Sequence, residues 1–478
     1  MSSIANPPAG APLRSAAMDI ASARRGGAMT PWLLAVMVVV VFAGGLFGYD
    51  QGVISGALAG VKRTFSLSPL LVEVVTSWVT LGALAGSLIG GELADRIGRR
   101  PTVLVAAAAF VLGAAVQAIA PDVRLLVLGR LAIGAGVGVA AVAAPLYAAE
   151  LAPAALRGRF VACYQLAITI GIFLAYLVDG ALSGPGAWRW MLGAAAAPGL
   201  LLLAAGIAAP ESPRWLMKAG RRADAARQAE RIDPKADVAR ELDAIAGALR
   251  EERGDAPWTE MFQPRWRRPL MIGLGLAVFQ QITGINAIIY YADQIFASAG
   301  FASPAAQTTA TTWAIGAVNV VSTLIAVATI DRIGRRRLLL VGLVGMGLSL
   351  VLVGAAFLFV ASRGAGGGPS LAGIATLIGL VAFIVSFAFS LGPAVWTVIN
   401  EIFPARIRGR AVALCTATNW GAAFLVSQFF LSLVGALGSA PTFWLLALLC
   451  VAGWIWIFAV VPETRGRTLE EIEADWNA

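Results

Sequence analysis

Two ionisable residues stand well inside long apolar runs of the chain. Asp50 lies in Phe47-Gly48-Tyr49-Asp50-Gln51-Gly52, within a run from Trp32 to about Val61. About 20 such residues suffice to cross a bilayer. Lys62 ends the run, so Asp50 sits about 18 Å of helix from that boundary at 1.5 Å per residue. An ionised carboxylate at such depth costs roughly 2.5 kcal/mol or more on insertion scales. A cation, a proton, or each in turn has to neutralise it. Arg130 is the second such residue, in Gly129-Arg130-Leu131-Ala132-Ile133-Gly134 of the fourth apolar run. That run enters near Asp122 and Arg124, on the side that Lys62 marks, which puts Arg130 about 9–12 Å in. The depths are comparable, so Arg130 is the cation best placed to face Asp50. A permanent structural ion pair is the plainer alternative to a functional one.

The elements that hold these residues follow from composition. The chain has 478 residues, 59% hydrophobic and 13% charged, with mean hydropathy +0.79. Soluble domains carry about 25% charged residues, so this is a polytopic membrane protein. The net charge of +9 comes from basic residues at the ends of apolar runs, where they set topology and give no reason to expect nucleic acid. There is no histidine, and Cys163, Cys415 and Cys450 stand singly. No metal site, cofactor or disulfide is expected. Lysine occurs only at Lys62, Lys218 and Lys235, none in a phosphate-binding G-x-x-x-x-G-K-[ST]. The buried polar residues are mostly amides, with no cluster that suits an enzyme.

Apolar runs fall at about 32–61, 70–94, 101–120, 123–149, 160–183 and 188–209, then at about 269–297, 307–330, 338–362, 369–400, 411–435 and 441–461. The pattern predicts an all-α membrane protein of twelve spanning helices. Residues 1–29 read as a disordered cytoplasmic tail, 30–209 as a first six-helix bundle, 210–268 as a cytoplasmic helical linker, 269–461 as a second bundle and 462–478 as a cytoplasmic tail. Orientation rests on Lys/Arg asymmetry. One set of loops carries Arg96, Arg99, Arg100, Arg157, Arg159, Arg332, Arg335, Arg336, Arg337, Arg406, Arg408 and Arg410; the other carries only Lys62, Arg63, Arg124, Arg189 and Arg363. In the linker, Val238, Leu242, Ile245 and Leu249 recur at helical spacing, and Arg221 to Arg231 reads as a second short helix.

The halves echo each other. Asp95-Arg96-Ile97-Gly98-Arg99-Arg100 returns as Asp331-Arg332-Ile333-Gly334-Arg335-Arg336. Glu150 with Arg157 returns as Glu401 with Arg408, and Pro210-Glu211-Ser212 as Pro462-Glu463-Thr464. Three matched pairs in order indicate duplication. Topology alone explains the arginines but not the matched acids. These charges are expected to pair at the cytoplasmic helix ends as a switchable gate, with Arg214 beside Glu211 in the same set.

Together with Gln280-Gln281-Ile282-Thr283-Gly284-Ile285-Asn286 and Pro462-Glu463-Thr464-Arg465-Gly466-Arg467, these motifs resemble the sugar porter family of the major facilitator superfamily, over about residues 35–475. The resemblance implies two pseudo-symmetric six-helix bundles around a central cavity. It implies a plasma-membrane protein with both termini cytoplasmic, whose partners are a monosaccharide, protons and the lipid bilayer, and which acts as a monomer. In proton-coupled members the residues matching Asp50 and Arg130 form a pair, whereas facilitative carriers have Asn at the matching place. The resemblance therefore implies proton-coupled symport of a hexose or pentose, with a facilitative sugar or polyol uniporter as the alternative.

A sugar site calls for amides, which both donate and accept, and for aromatic rings over the apolar sugar faces. The seventh run supplies Gln280, Gln281, Asn286 and Tyr290, spread over more than half a helix circumference unless Gly284 breaks the helix. The resemblance assigns these to sugar contact together with Gln165, Asn319, Trp396 and Asn419, with Phe47 and Phe387 lining the cavity. Gly392 beside Pro393 is a second expected break, and Trp420 stands next to Asn419. Ile172, Ala195 and Ala423 occupy places where some relatives carry amide or acidic residues, so the identity of the sugar stays open.

Overall fold

A computed structural model describes residues 30–152, 156–182, 186–234, 237–251, 258–301, 303–362 and 371–465, without the side chains of 157–159, 161, 251, 330, 331, 360–362, 405 and 406. Among the described residues there are twelve helical segments long and apolar enough to cross a membrane. The first six are α1 (Pro31–Phe65), α2 (Pro69–Ile97), α3 (Arg99–Ile119), α4 (Val123–Leu151), α5 (Arg157–Ala181) and the broken pair α6 (Ala187–Gly193) and α7 (Ala196–Ala208). Three short helices follow: α8 (Pro213–Lys218), α9 (Arg222–Ile232) and α10 (Val238–Glu251). The second six begin with α11 (Arg267–Ile282), α12 (Ile285–Tyr290) and α13 (Ala292–Ser298), all from one apolar run. The eighth run gives α14 (Pro304–Ala310), a π-helical stretch over Thr311–Ala317 and α15 (Val318–Ile333). Then come α16 (Arg335–Ser362), α17 (Leu371–Phe389), α18 (Leu391–Ile402), α19 (Ala405–Leu437) and α20 (Ser439–Val460).

Local chemistry sets the helix starts. Thr30, Ser68, Ser212 and Ser303 each cap a helix with the side-chain oxygen, and a proline follows each at the first helical position. That position needs no N–H, and proline's fixed φ suits it. Small residues then let the backbones touch. A Cβ on Gly48 of α1 would overlap the carbonyl of Ile168 on α5, and one on Gly134 or Gly138 of α4 would overlap the carbonyls of Val79 or Ala83 on α2. Such close contact stabilises helix pairs where surrounding lipid offers no hydrophobic gain.

The six helices of each half pack mainly on each other, α1 on α5 and α2 on α4 in the first half, α16 on α17 and α20 in the second. The two bundles meet along α2 with α19, α1 with α12, and α5 with the π-helical stretch. Among the described residues, hydrogen bonds between the bundles run from mid-depth to the Lys62 end. Ser77 Oγ donates to Gln428 Oε1 at 2.8 Å, Tyr176 Oη to the Ile289 carbonyl at 3.0 Å, and Ser432 N and Oγ to Glu73 at 2.6 Å each. The molecule is therefore closed at that end.

The linker helices fall on the expected segments. Leu242 of α10 is buried with Leu216 and Ala225, and Val238 and Ile245 pack against them. This small apolar cluster holds α8, α9 and α10 together.

Candidate functional site

At the centre, Arg130 Nη1 donates to Asp50 Oδ1 at 2.6 Å, and the two residues are 0% and 4% exposed. The guanidinium spends its other donors on α2, with Nε on the Val75 carbonyl at 3.1 Å and Nη2 on the Thr76 carbonyl at 3.3 Å. One buried side chain thus ties α1 and α2 to α4. A buried pair adds little net stability, but removing one partner costs about 3–5 kcal/mol because the other charge is left unpaired. Asp50 also borders a narrow central cavity lined by Phe47, Gln51, Val79, Ala83, Val137, Tyr290 and Trp420, packed too tightly in this closed arrangement to admit a water molecule. The Phe47 and Trp420 rings meet across it, 5.1 Å between centroids.

The seventh run breaks at Gly284, where φ is +100°. L side chains rarely adopt that conformation, so glycine is the residue that permits it. On the α11 side, Asn419 Nδ2 donates to Gln280 Oε1 at 2.8 Å, Gln281 Nε2 donates to Asn419 Oδ1 at 3.0 Å, and Gln280 Nε2 donates to the Leu391 carbonyl at 2.9 Å. On the α12 side, Asn286 Oδ1 accepts from Gln51 Nε2 at 3.2 Å, across the bundle seam. One acceptor and one donor remain buried without a partner: Gln281 Oε1 and Asn286 Nδ2. Buried polar atoms left bare are costly, so they mark places where a ligand or water completes the site. The tenth run breaks at Ser390, with φ −125° and ψ −85°, three residues before the Pro393 that signals it in the sequence.

Of the remaining expected residues, Gly392 of α18 brings its carbonyl to 3.5 Å from Gln280 Nε2. Gln165 of α5 is half-buried and Asn319 of α15 is buried, and neither side chain makes a hydrogen bond among the described residues. Phe387 of α17 lies against Gly392, and it and Trp396 of α18 are partly buried against the apolar core. The structure thus joins Phe47, Asp50, Tyr290 and Trp420 around one cavity and Gln280, Gln281 and Asn419 in one amide cluster. Among the described residues, Gln165, Asn319, Phe387 and Trp396 make no side-chain hydrogen bond to either set.

The arginine-rich ends repeat one motif twice. Arg99 donates to Glu150 at 2.7 Å and to Asp95 at 3.0 Å, and Arg335 donates to Glu401 at 3.2 Å. Glu211 accepts the backbone N–H groups of Arg99 and Arg100 at 3.1 and 3.2 Å; Glu463 accepts those of Arg335 and Arg336 at 3.0 and 3.2 Å. Each carboxylate thus sits on a helix N-terminus, where unpaired N–H groups favour an anion. Burial pushes the Glu211 carboxyl up from its ordinary range, against the backbone bonds from Ser212, Arg100 and Arg99 that pull it down. Ser212 Oγ also bonds Glu150.

Two parts of the expected charge pairing differ. Among the described residues, Arg100 and Arg336 do not pair through their side chains with acids: they donate to the Ile207 and Phe458 carbonyls, both at 2.6 Å, because helix C-termini leave such carbonyls bare. Arg96 pairs locally with exposed Glu92 on its own helix. Arg408 donates to the Phe403 carbonyl at 3.0 Å, Arg214 is half-buried and Arg332 is exposed. The side chains of Arg157 and Asp331 lie outside the described residues.

Sequence reasoning passed over Gln51, which carries the bond to Asn286, and over Glu73, Asp179 and Asp293, all of which bond across or along the bundle seam. The three acids stand near the ends of their apolar runs, where a charge reads as a boundary.

A family model described as "Sugar (and other) transporter" matches residues 36–476. The arabinose-proton symporter of Bacillus subtilis is 36% identical over 440 residues, covering 90% of this chain and 92% of that protein. The galactose-proton symporter of Escherichia coli K12 is 39% identical over 440 residues, covering 92% and 93%. A partially occluded inward-open structure of the xylose transporter XylE from E. coli superposes with a TM-score of 0.79 at 29% identity, covering 92% of this chain and all of that one. Two six-helix halves, a buried Asp50–Arg130 pair inside the first and an amide-lined centre in the second, over a match of this extent, place the chain in the sugar transporter family of the major facilitator superfamily.

Proposed function

We infer that the chain is a proton-coupled symporter that carries a monosaccharide across the plasma membrane by alternating access. The observation that carries this reading is the buried Asp50–Arg130 pair on the wall of the central cavity. Intramembrane ionisable residues mark ion and proton pathways by default. Relatives named for arabinose, galactose and xylose transport support a hexose or pentose as cargo.

Ionised Asp50 is held by Arg130 and resists movement of α1 against α4. Protonation removes the charge attraction and frees that movement. The bare Gln281 Oε1 and Asn286 Nδ2 supply an acceptor and a donor for sugar hydroxyls. Gln280, Asn419 and Tyr290 frame the sugar, Phe47 and Trp420 cover its apolar faces, and Gln165, Asn319, Phe387 and Trp396 join as the bundles tilt. Residues 30–209 and 269–461 act as the rocking bodies, with 210–268 joining them. The Lys/Arg asymmetry supports cytoplasmic termini, so the closed Lys62 end faces outward. The charges at the arginine-rich ends act as the cytoplasmic gate, and the carrier works as a monomer.

The test is sugar-driven proton uptake in proteoliposomes bearing Asp50→Asn. Loss of coupled proton flux with sugar exchange retained is expected. Undiminished coupled flux would refute the role of Asp50.

A further inference from the structure

Two carboxylates at the Lys62 end flank the bundle seam, one from each bundle. Asp179, near the end of α5, is 6% exposed. Its Oδ2 accepts from Gly56 N at 3.2 Å, and its Oδ1 is buried with no partner. Asp293, in α13 of the other bundle, accepts from Thr311 Oγ1 at 2.5 Å and Thr308 Oγ1 at 3.1 Å, and its N donates to Ser55 Oγ at 3.1 Å. Ser55 and Gly56 are consecutive on α1, so one turn of α1 touches both acids. Gly180, next to Asp179, faces Thr308: a Cβ there would lie 3.6 Å from the threonine methyl.

No cation offsets them among the described residues. Tyr176 of α5 and Tyr49 of α1 stand near, but their hydroxyls donate elsewhere, to the Ile289 carbonyl at 3.0 Å and the Met191 carbonyl at 2.8 Å. Arg189 of α6 stands over the Trp188 and Phe65 rings, at 4.1 and 6.0 Å. The helices α14 and α17 and the π-helical stretch carry no charged residue. Two carboxylates sharing a dry site cannot both stay ionised, and one proton between them removes the repulsion. The threonine hydroxyls donate to Asp293 and favour its ionised form, which leaves the proton to Asp179, whose Oδ1 has no donor.

We propose that Asp179 and Asp293 share one proton that latches the Lys62 end closed and is released to that side when the bundles part there. Parting moves α5 away from α13 and α14, admits water and lets both acids ionise. Closure at this end then takes up a proton independently of Asp50. The inference rests on the alternating-access reading and adds a second proton step to it.

The test uses the full chain in lipid nanodiscs, spin-labelled at Leu70→Cys and Leu437→Cys, one position at the Lys62 end of each bundle. In the otherwise unaltered protein the ratio of open to closed distances should rise by about tenfold per pH unit over the window in which the proton leaves, as one linked proton requires. Asp179→Asn and Asp293→Asn should each flatten that slope, and Asp50→Asn should keep it. An unchanged slope in both variants, no slope in the parent, or a ratio that follows sodium concentration at fixed pH would each overturn the latch. Should the variants fail to fold, infrared spectra of Asp50→Asn are read instead. A protonated-carboxyl stretch that vanishes as pH rises supports the latch, and its absence overturns it. Failed coupled transport with this slope intact would refute the proposed function and leave the latch standing.

Discussion

Arg130 reaches Asp50 at 2.6 Å from a position that is itself fully buried, with its remaining donors bound to α2 carbonyls. Neither charge can leave this arrangement without stranding the other. Asp50→Asn and Arg130→Met should therefore each lower thermal stability by about 3–5 kcal/mol, and the double variant should lie closer to the parent than either single one. Melting curves in one detergent and at one pH form the cycle. Additive losses would mean that the pair is not coupled in the folded state.

The bare atoms of the amide centre lead to a second expectation. Gln281 Oε1 and Asn286 Nδ2 lack partners although both are buried, whereas Gln280 and Asn419 are already bonded to each other. Gln281→Ala and Asn286→Ala should weaken sugar binding by about 0.5–1.5 kcal/mol each, the worth of one neutral hydrogen bond, or about twofold to tenfold in Kd. Gln280→Ala should also lower stability, since it removes the bonds that Gln280 accepts from Asn419 and donates to the Leu391 carbonyl. Calorimetric titration with xylose, galactose and arabinose would read the first effect and melting curves the second.

Much of this was legible from the residues. A carboxylate and a guanidinium at matching depth in apolar runs pointed to the Asp50–Arg130 pair, since hydrocarbon leaves such charges few ways to be satisfied. The repeated Asp-Arg-x-Gly-Arg-Arg and Pro-Glu motifs pointed to duplicated charge sites at the helix ends. Other features were hidden because they depend on tertiary geometry. Nothing in the spacing of Arg100 or Arg336 says that the guanidinium will find carbonyls at the end of a helix more than a hundred residues away. Nor does spacing say that Asp179 and Asp293, 114 residues apart in sequence, share one turn of α1. The break in the tenth run was announced by Gly392 and Pro393 but falls a little earlier, at Ser390.

Gly98 and Gly334 combine two constraints that the repeat preserves. Their φ values are +104° and +98°, and a Cβ on either would press on the carboxylate of Glu211 or Glu463. Gly220 has φ +75° with open space around it. Gly220→Ala should show the left-handed penalty alone, about 1 kcal/mol. Gly98→Ala and Gly334→Ala should destabilise by more than that, because each also displaces a carboxylate from a helix N-terminus. Equal losses at the three positions would show that the carboxylate contact contributes nothing.

Glu73 provides the strongest described link between the bundles at the Lys62 end. It is fully buried on α2 and accepts from both the N and the Oγ of Ser432 on α19, each at 2.6 Å. A hydrogen bond to a charged group contributes about 1.5–3 kcal/mol. Ser432→Ala removes the hydroxyl and keeps the backbone donor, so the open-to-closed ratio should rise by about tenfold or more if that bond exists only in the closed state. Glu73→Ala removes both bonds and should shift the ratio further in the same direction. Spin-label distances across that end, taken without sugar and at one pH, measure the shift. A distance distribution unchanged in both variants would mean that the contact re-forms, or is replaced, when the bundles part.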